Sequence, residues 1–325
     1  MVVIDTALLV YQGDVPPSVA SVLNNVKRWR DPLLPHDCFS GRLENLYVKG
    51  KPDELLVSGS LSRYGLGSNF YTPSPDDIRG AMWKMSSTLG VPMEWASVYR
   101  VDGAINMTLD SPPEFVTGSV ASRPRYKKGV YRGGVTLSTK TRTLLLYNKV
   151  EEAQSKKAPV PPEYAGKNVL RCEVQQKRRV GPTFGGPVLG RDLFNPDFLK
   201  RFLDLYEREF GKVEFERNRH PLMAPGWRDY KLSRMLVGVE TLGGVTAELD
   251  RLRAAEKAGL YRGRKSTYYK VRSNLRRITG SDRYTERSAP EVEFRSAFEK
   301  AVAEMDAVIR GTGGVSASHP QGSQP

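Results

Sequence analysis

Histidine is almost missing from this chain. There are three in 325 residues, His36, His220 and His319, none near another. The two cysteines, Cys38 and Cys172, are as far apart. That scarcity excludes a Cys/His zinc ligand set and a disulfide framework. Unpaired thiols fit a reducing compartment, so a cytoplasmic setting is expected. Long apolar runs are also lacking: none approaches the roughly 20 residues of a bilayer-spanning helix, and no membrane partner is expected. The opening "MVVIDTALLVYQG" has no basic leader and carries Asp5, so it reads as a first β-strand and not as a signal peptide. Acidic charge is in short supply too. Asp+Glu number 36 against 50 Lys+Arg, a formal charge of +14 with a pI near 9.7. That imbalance calls for a polyanionic partner, of which nucleic acid is the commonest.

What is present divides the chain by texture. "ENLYVKG" and "ELLVSGSL" alternate as a hairpin around "KPDE". "SPDDIRGAMWKMSSTLG" reads as a core helix: Ser74 caps it, Pro75 takes the first helical position and Gly90 ends it. Three strands are then expected, "WASVYRVDGAINMTL", "GGVTLSTKTRTLLLYNK" and "KNVLRCEVQQKRR". Residues 25 to 45 fit no pattern, and no internal repeat is visible. Helical texture follows, with "NPDFLKRFLDLYEREFG" capped by Asn195. Three helices are expected between Leu232 and Gly280, and an amphipathic one over "APEVEFRSAFEKAVAEMDAVIRG". The expected organisation is a catalytic domain at 1–190, a helical DNA-binding region at 191–310 and a disordered tail at 311–325. The fold class is α+β, a largely antiparallel sheet followed by a helix-turn-helix-like region. In "STYYKVRSNLRRITG" the stripe Tyr268, Val271, Leu275 and Ile278 faces inward, leaving Lys270, Arg272 and Arg276 for DNA.

Residues two apart on a strand share a face. This groups Arg100 with Asp102, Tyr147 with Lys149, and Arg171 with Glu173, each pair opposite an apolar face. On neighbouring strands the polar faces would gather Asp102, Glu173, Tyr147 and Lys149, with Glu151 or Glu152 close behind. Converging carboxylates suit a hard divalent cation, Mg²⁺ or Mn²⁺. A tyrosine beside it is a candidate nucleophile for a phosphodiester, and Lys149 a candidate for offsetting the charge that develops. Each pair taken singly is more often a solvent-facing ion pair; three on consecutive strands of a basic chain shift that balance. Arg100, Arg171 and the run Lys177, Arg178, Arg179 are candidate DNA contacts. "SRPRYKKGVYR" is another, with Tyr126 and Tyr131 placed to stack on unpaired bases.

In that order and spacing, "VYRVDGAIN", "TLLLYNKVEE" and "VLRCEVQQKRR" resemble the replication initiation proteins of filamentous phages, the gene II and gene X family, itself similar to Rep proteins of some rolling-circle plasmids. The resemblance implies a site-specific single-strand DNA endonuclease and strand-transferase acting in the cytoplasm of a bacterial host. It implies Tyr147 as the nucleophile that takes the 5′ phosphate and Lys149 as the motif lysine. Glu152 would be the motif glutamate, blurred by Glu151, and Asp102, Glu152 and Glu173 would hold the metal. Single-stranded and duplex origin DNA, a host helicase and a polymerase are the implied partners. The histidines matter here: the nucleases that bind metal through a His-hydrophobic-His pair are a different class, since no such pair exists in this chain. Tyrosine recombinases are disfavoured as well, because "RHPLMA" lacks their His-x-x-Arg box. The rival reading is a non-enzymatic repressor or copy-control protein that uses only the C-terminal helices.

Overall fold

The structure, a computed structural model, describes residues 4–30, 37–216, 239, 244–279 and 288–311. The chain divides into two compact units, Met1–Glu214 with Glu293–Pro325, and Phe215–Val292.

Among the described residues the first unit is built on one ten-stranded sheet. Its strands are β1 (Ile4–Gln12), β2 (Asn24–Arg30), β3 (Asp37–Leu43), β4 (Leu46–Lys51), β5 (Glu54–Ser60), β6 (Ser97–Leu109), β8 (Lys127–Tyr131), β9 (Gly134–Ser138), β10 (Arg142–Asn148) and β11 (Asn168–Gln176). A short strand, β7 (Val120–Ser122), stands outside it. The order is β2-β3-β4-β5-β1-β6-β11-β10-β9-β8. Every neighbouring pair is antiparallel. The helices between and after these strands are α1 (Leu61–Leu66), α2 (Pro75–Leu89), α3 (Pro113–Ser119), α4 (Lys149–Ser155), α5 (Val180–Phe184) and α6 (Pro196–Phe210).

The strand order repeats itself. β1 lies at the centre, the chain leaves for the far edge at β2, and it meanders back until β5 pairs with β1. β6 lies beside β1, the chain leaves for the opposite edge at β8, and it returns until β11 pairs with β6. The sequence shows no repeat because the two excursions share a path and not side chains.

Long helices back the sheet. α2 forms as expected, with Ser74 and Asp77 closing a reciprocal capping box, and buries Ile78, Met82, Met85 and Leu89. α6 is capped by Asn195. Its Glu209 meets Arg142 at 2.5 Å, and Arg142 shares a strand face with Leu144 and Leu146. Helix α6 therefore packs on the face opposite Tyr147. Its Tyr206 donates to the Cys172 carbonyl, and Phe210 packs with Phe294 and Phe298 of the last helix (Ala289–Ile309). The compact unit thus runs well past residue 190. In the second unit two helices, Gly244–Lys257 and Lys265–Thr279, pack through Leu252, Tyr268 and Leu275, with Val271 partly buried against them. The inward stripe is as expected as far as Leu275. Apart from Val239, which is helical and packs against this cluster, the first of the three helices expected from Leu232 lies outside the described residues, as do the side chains of Arg276 and Ile278, all three histidines and the tail from residue 312.

Two strand readings need correction. "GGVTLSTKTRTLLLYNK" is a hairpin of β9 and β10, not one strand. Its turn carries no Gly or Pro; Thr139 closes it instead, its Oγ1 accepting the Arg142 amide at 3.0 Å. Nor do Tyr147 and Lys149 share a strand face, because β10 ends at Asn148 and helix α4 begins at Lys149. Asn148 caps that helix by accepting from the amides of Val150 and Glu151 at 3.1 Å.

Candidate active site

The strand registers set a row of side chains across one face. Tyr131 pairs with Gly134, Gly134 with Tyr147, Tyr147 with Arg171, and Arg171 with Asn106. Opposed residues in an antiparallel sheet present their side chains on the same face. Gly134 matters as a gap: a Cβ there would lie 2.7 Å from the Tyr131 ring and hydroxyl. The Tyr131 ring therefore leans across Gly134.

Arg171 is the hub of the row. It is 2% exposed and meets Asp5 at 2.8 Å. It also donates to the Asn69 carbonyl at 2.8 Å and to Asn106 at 3.3 Å, and its Nε faces Glu173 at 3.7 Å. Asn106 donates in turn to the Phe70 carbonyl at 2.8 Å, so the loop following helix α1 roofs this end of the face. Burial alone would favour loss of charge, but Tyr147, Asp5 and Glu173 outweigh it and hold the guanidinium more firmly protonated than usual. So enclosed, Arg171 organises the carboxylates and does not offer itself to a DNA backbone.

Asp5 was not among the residues singled out as site candidates. The β1–β6 register shifts between Ile4 and Thr6, and this bulge turns the Asp5 carboxylate toward Arg171. Ser60 donates to its other oxygen at 2.9 Å. The only sequence signal was an acid inside an apolar strand.

Tyr147 is 9% exposed and donates to Glu173 Oε2 at 3.3 Å. Burial raises its pKa well above the ordinary phenol value; Arg171 opposes this while Glu173, Glu152 and Asp5 add to it. The phenol is thus held protonated against a carboxylate placed to receive the proton. Glu173 accepts from Gln175 at 2.7 Å through its other oxygen. Tyr131, 44% exposed, lies in the same field: burial first, then Glu173 and Glu152, push it up to about 12.

Lys149 rejoins the site from the helix. Its ammonium is buried, 2.8 Å from Glu152 and over the Phe70 ring at 5.0 Å. Burial first, then Arg171, lower its pKa. For Glu152 burial acts upward, but hydrogen bonds from Lys149 and Lys156 win and hold it below the usual carboxylate range. Glu151 turns away to Arg132 at 3.2 Å.

Asp102 and Glu173 do share a face. Gln175 pairs with Asp102 and Glu173 with Ala104, so the two acids are diagonal neighbours on β6 and β11. Asp102 is 1% exposed and gripped by Arg100 through Nε at 2.9 Å and Nη2 at 2.6 Å. Its pKa rises to about 7, because burial exceeds the help from Arg100 and because Glu173 and Asp5 are near. A buried acid among acids with one partner is short of positive charge, and the hard oxygens of Asp102 and Glu173 suit a divalent ion. Among the described residues, however, no group of three or more His, Cys, Asp or Glu is gathered as a ready ligand set. Glu152, committed to two lysines, stands apart from the pair.

The other expected DNA contacts separate. Lys177, Arg178 and Arg179 follow the end of β11, about 20 Å along the strand from Arg171. Arg123 and Tyr126 bind Glu209 of α6 at 2.6 and 2.8 Å and so brace the helical face. Lys270 and Arg272 belong to the second unit, Lys270 exposed and Arg272 half-buried.

Residues 40–189 match the family described as the N-terminal part of the phage replication-associated gene II protein, and the match supports a place among the phage replication initiation proteins. That span holds β6, β10 and β11 and with them Tyr131, Tyr147, Lys149, Glu152, Arg171, Glu173, Arg100 and Asp102, but not Asp5. No curated protein matches the chain. No helix among the described residues is long and apolar enough to cross a membrane.

Proposed function

We propose that this protein initiates rolling-circle replication by nicking one strand of an origin through Tyr147. The strands that build the site carry the phage replication-associated domain. The observation that carries the reading is the Tyr147–Glu173 hydrogen bond in the middle of the Arg171 row. Glu173 takes the phenol proton as the oxygen attacks phosphorus; the P–O3′ bond breaks, and the 3′ oxygen leaves and gains a proton from solvent. The products are a 5′-phosphotyrosine and a free 3′ hydroxyl, which a host polymerase would extend while a host helicase unwinds the duplex. The phosphotyrosyl ester conserves the bond, so attack by a 3′ hydroxyl rejoins the displaced strand without ATP. Lys149 offsets charge on the phosphate from the mouth of helix α4. Asp102 and Glu173 would hold Mg²⁺ or Mn²⁺, which supplies neutralisation of the phosphate oxygens. Lys270, Arg272 and Arg276 would add duplex origin binding from the second unit.

Incubating the protein with an origin plasmid and Mg²⁺ should give a protein-linked nick. Tyr147→Phe should abolish the adduct while origin binding stays within a few-fold. A Phe variant that still forms the covalent complex would sink the assignment.

A further inference from the structure

The open face does not stop at the catalytic row. On the β1–β5 side the same face carries a second texture, cationic and aromatic, that the site does not use. Registers connect the two without a break. Arg42 of β3 pairs with Tyr47 of β4, Tyr47 with Ser58 of β5, Ser58 with Leu8 of β1, and Leu8 with Arg100 of β6. The row that begins at Arg42 therefore ends on the guanidinium that grips Asp102. One step along the strands a parallel row runs from Lys27 of β2 through Ser40 to Lys49. Beside it Trp29 pairs with Cys38.

Lys27, Trp29, Arg42, Tyr47 and Lys49 stand in solvent, while Ser40 and Cys38 lie buried beneath them. Every residue of β2, "NNVKRWR", is exposed, and none is acidic. Trp29 is 37% and Tyr47 38% exposed. Each ring has a cation above it, Lys49 at 5.6 Å from the Trp29 centroid and Arg42 at 5.9 Å from that of Tyr47. A nucleotide presents the same couple in complement, a flat base beside an anionic phosphate. The middle of the path, Ser58, Leu8 and Thr6, is only partly covered. Neither an acidic peptide nor a lipid surface calls for aromatic platforms spaced along a path that ends at a phosphodiester-cleaving row.

We propose that the β2–β4 wing, through Lys27, Trp29, Arg42, Tyr47 and Lys49, is a docking surface for single-stranded DNA, which crosses the open face to reach Tyr147. The inference rests on the nickase reading and adds to it the track of the strand. From β3 to β10 is six strand spacings, roughly 30 Å. A strand at the stacked rise of about 3.4 Å per nucleotide would need about nine nucleotides to cover it. The β2 part of the wing lies before the family match, which begins at residue 40.

The test is binding of fluorescein-labelled single-stranded oligonucleotides, one long enough to span the face and one about half that length, to the full-length protein. The long probe should bind wild type at least tenfold more tightly than the short one, and Trp29→Ala should remove most of that gain. Lys27→Ala/Arg42→Ala/Lys49→Ala should lower the salt slope for the long probe by about 2, roughly 0.7 for each phosphate no longer neutralised. Because β2 is exposed throughout, both variants should keep the wild-type melting curve, and circular dichroism checks this. If wild type links covalently to a single-stranded site but both variants bind the long probe as wild type does, the wing is not the track while the nickase reading stands. If wild type neither binds single strands nor forms an adduct, the nickase reading fails first. A duplex of the same length that binds equally well, with the same loss in Trp29→Ala, would overturn the choice of single-stranded DNA.

Discussion

The two halves of the sheet follow one path and have been given opposite chemistry. β1 and β6 are the inner strands of each half, β5 and β11 return beside them, and β2 and β8 form the edges. On the open face of the β6–β11 half charges are largely enclosed and paired with one another: Arg171 holds Asp5 and Glu173, and Arg100 holds Asp102. On the same face of the β1–β5 half charges stand in water above aromatic rings. Asp5, with Ser60 donating to it, is drawn from the first half into the second half's network beside a bulge in β1. The comparison teaches that topology places a face and burial decides its use. Enclosed ion pairs fix reacting groups in position; exposed cations beside rings suit a long, flexible anion.

The largest effect should come from breaking the enclosed network at its hub. Arg171→Met leaves Asp5 and Glu173 without their common partner on a face that still excludes water. Loss of one partner from a buried pair typically costs about 3–5 kcal/mol. Arg42→Met on the other half should change stability by less than about 0.5 kcal/mol, as exposed positions do. Urea unfolding of the two variants measures the contrast directly, and equal losses would mean that the two halves do not differ in the way burial suggests.

How much of this was legible follows the same division. The paired faces of β6 and β11 could be read because each polar pair alternates with Leu, Ile, Cys or Val against a covered side. Helices α2 and α6 announced themselves through Ser74 and Asn195. The β9–β10 hairpin was hidden by β-branched threonines, which suit a strand and here make the turn. Helix α4 could have been recognised: Asn148 with Glu151 and Glu152 behind it is a capped, acidic first turn, yet the apolar run into Tyr147 drew the strand onward. β2 resisted because an edge strand exposed on both sides has no alternation to show. The role of Asp5 could not be read at all, since a bulge is a property of two paired strands.

A smaller effect should appear in pH dependence. The Asp102 carboxyl rises from 3.8 to about 7 in the folded protein, through burial and through Glu173 and Asp5, with Arg100 opposing. The folded state therefore holds this proton where the unfolded chain has lost it. Its contribution to stability is highest at acid pH, declines as pH rises from about 4 to about 7, and is level above that. Taken at about 1.36 kcal/mol per unit, the decline should be on the order of 4 kcal/mol. Glu152, depressed by its lysines, contributes an opposite slope only below about pH 4.5. Between pH 5 and 8 the unfolding free energy of wild type, measured against that of Asp102→Asn, should thus rise toward acid. Parallel curves across that range would show that Asp102 is not the titrating group. No exposed carboxylate of the β1–β5 half should produce such a difference.

The smallest expected effect on the fold tests where the enclosed half meets solvent. Tyr131 ends the Arg171 row, half-exposed, with its ring across Gly134. Its hydroxyl, pushed up to about 12 by burial and by Glu173 and Glu152, stays protonated at any working pH. Tyr131→Phe keeps the ring that fills the space over Gly134 and removes only the hydroxyl of a half-exposed side chain, so stability should change by less than about 0.5 kcal/mol. Catalysis is a different matter if the row acts as a unit. A phenol held neutral near Glu173 and Glu152 can donate a hydrogen bond to a phosphate oxygen approaching Tyr147, and losing a fully enclosed donor of this kind costs about 10²–10³-fold in rate, less for a half-exposed one. Single-turnover cleavage of a pre-melted origin strand should therefore slow by roughly tenfold or more in the Phe variant while its melting curve overlays wild type. A variant that cleaves at the wild-type rate would confine the reacting row to Tyr147, Glu173 and Arg171 and leave Tyr131 as the ring that closes its edge.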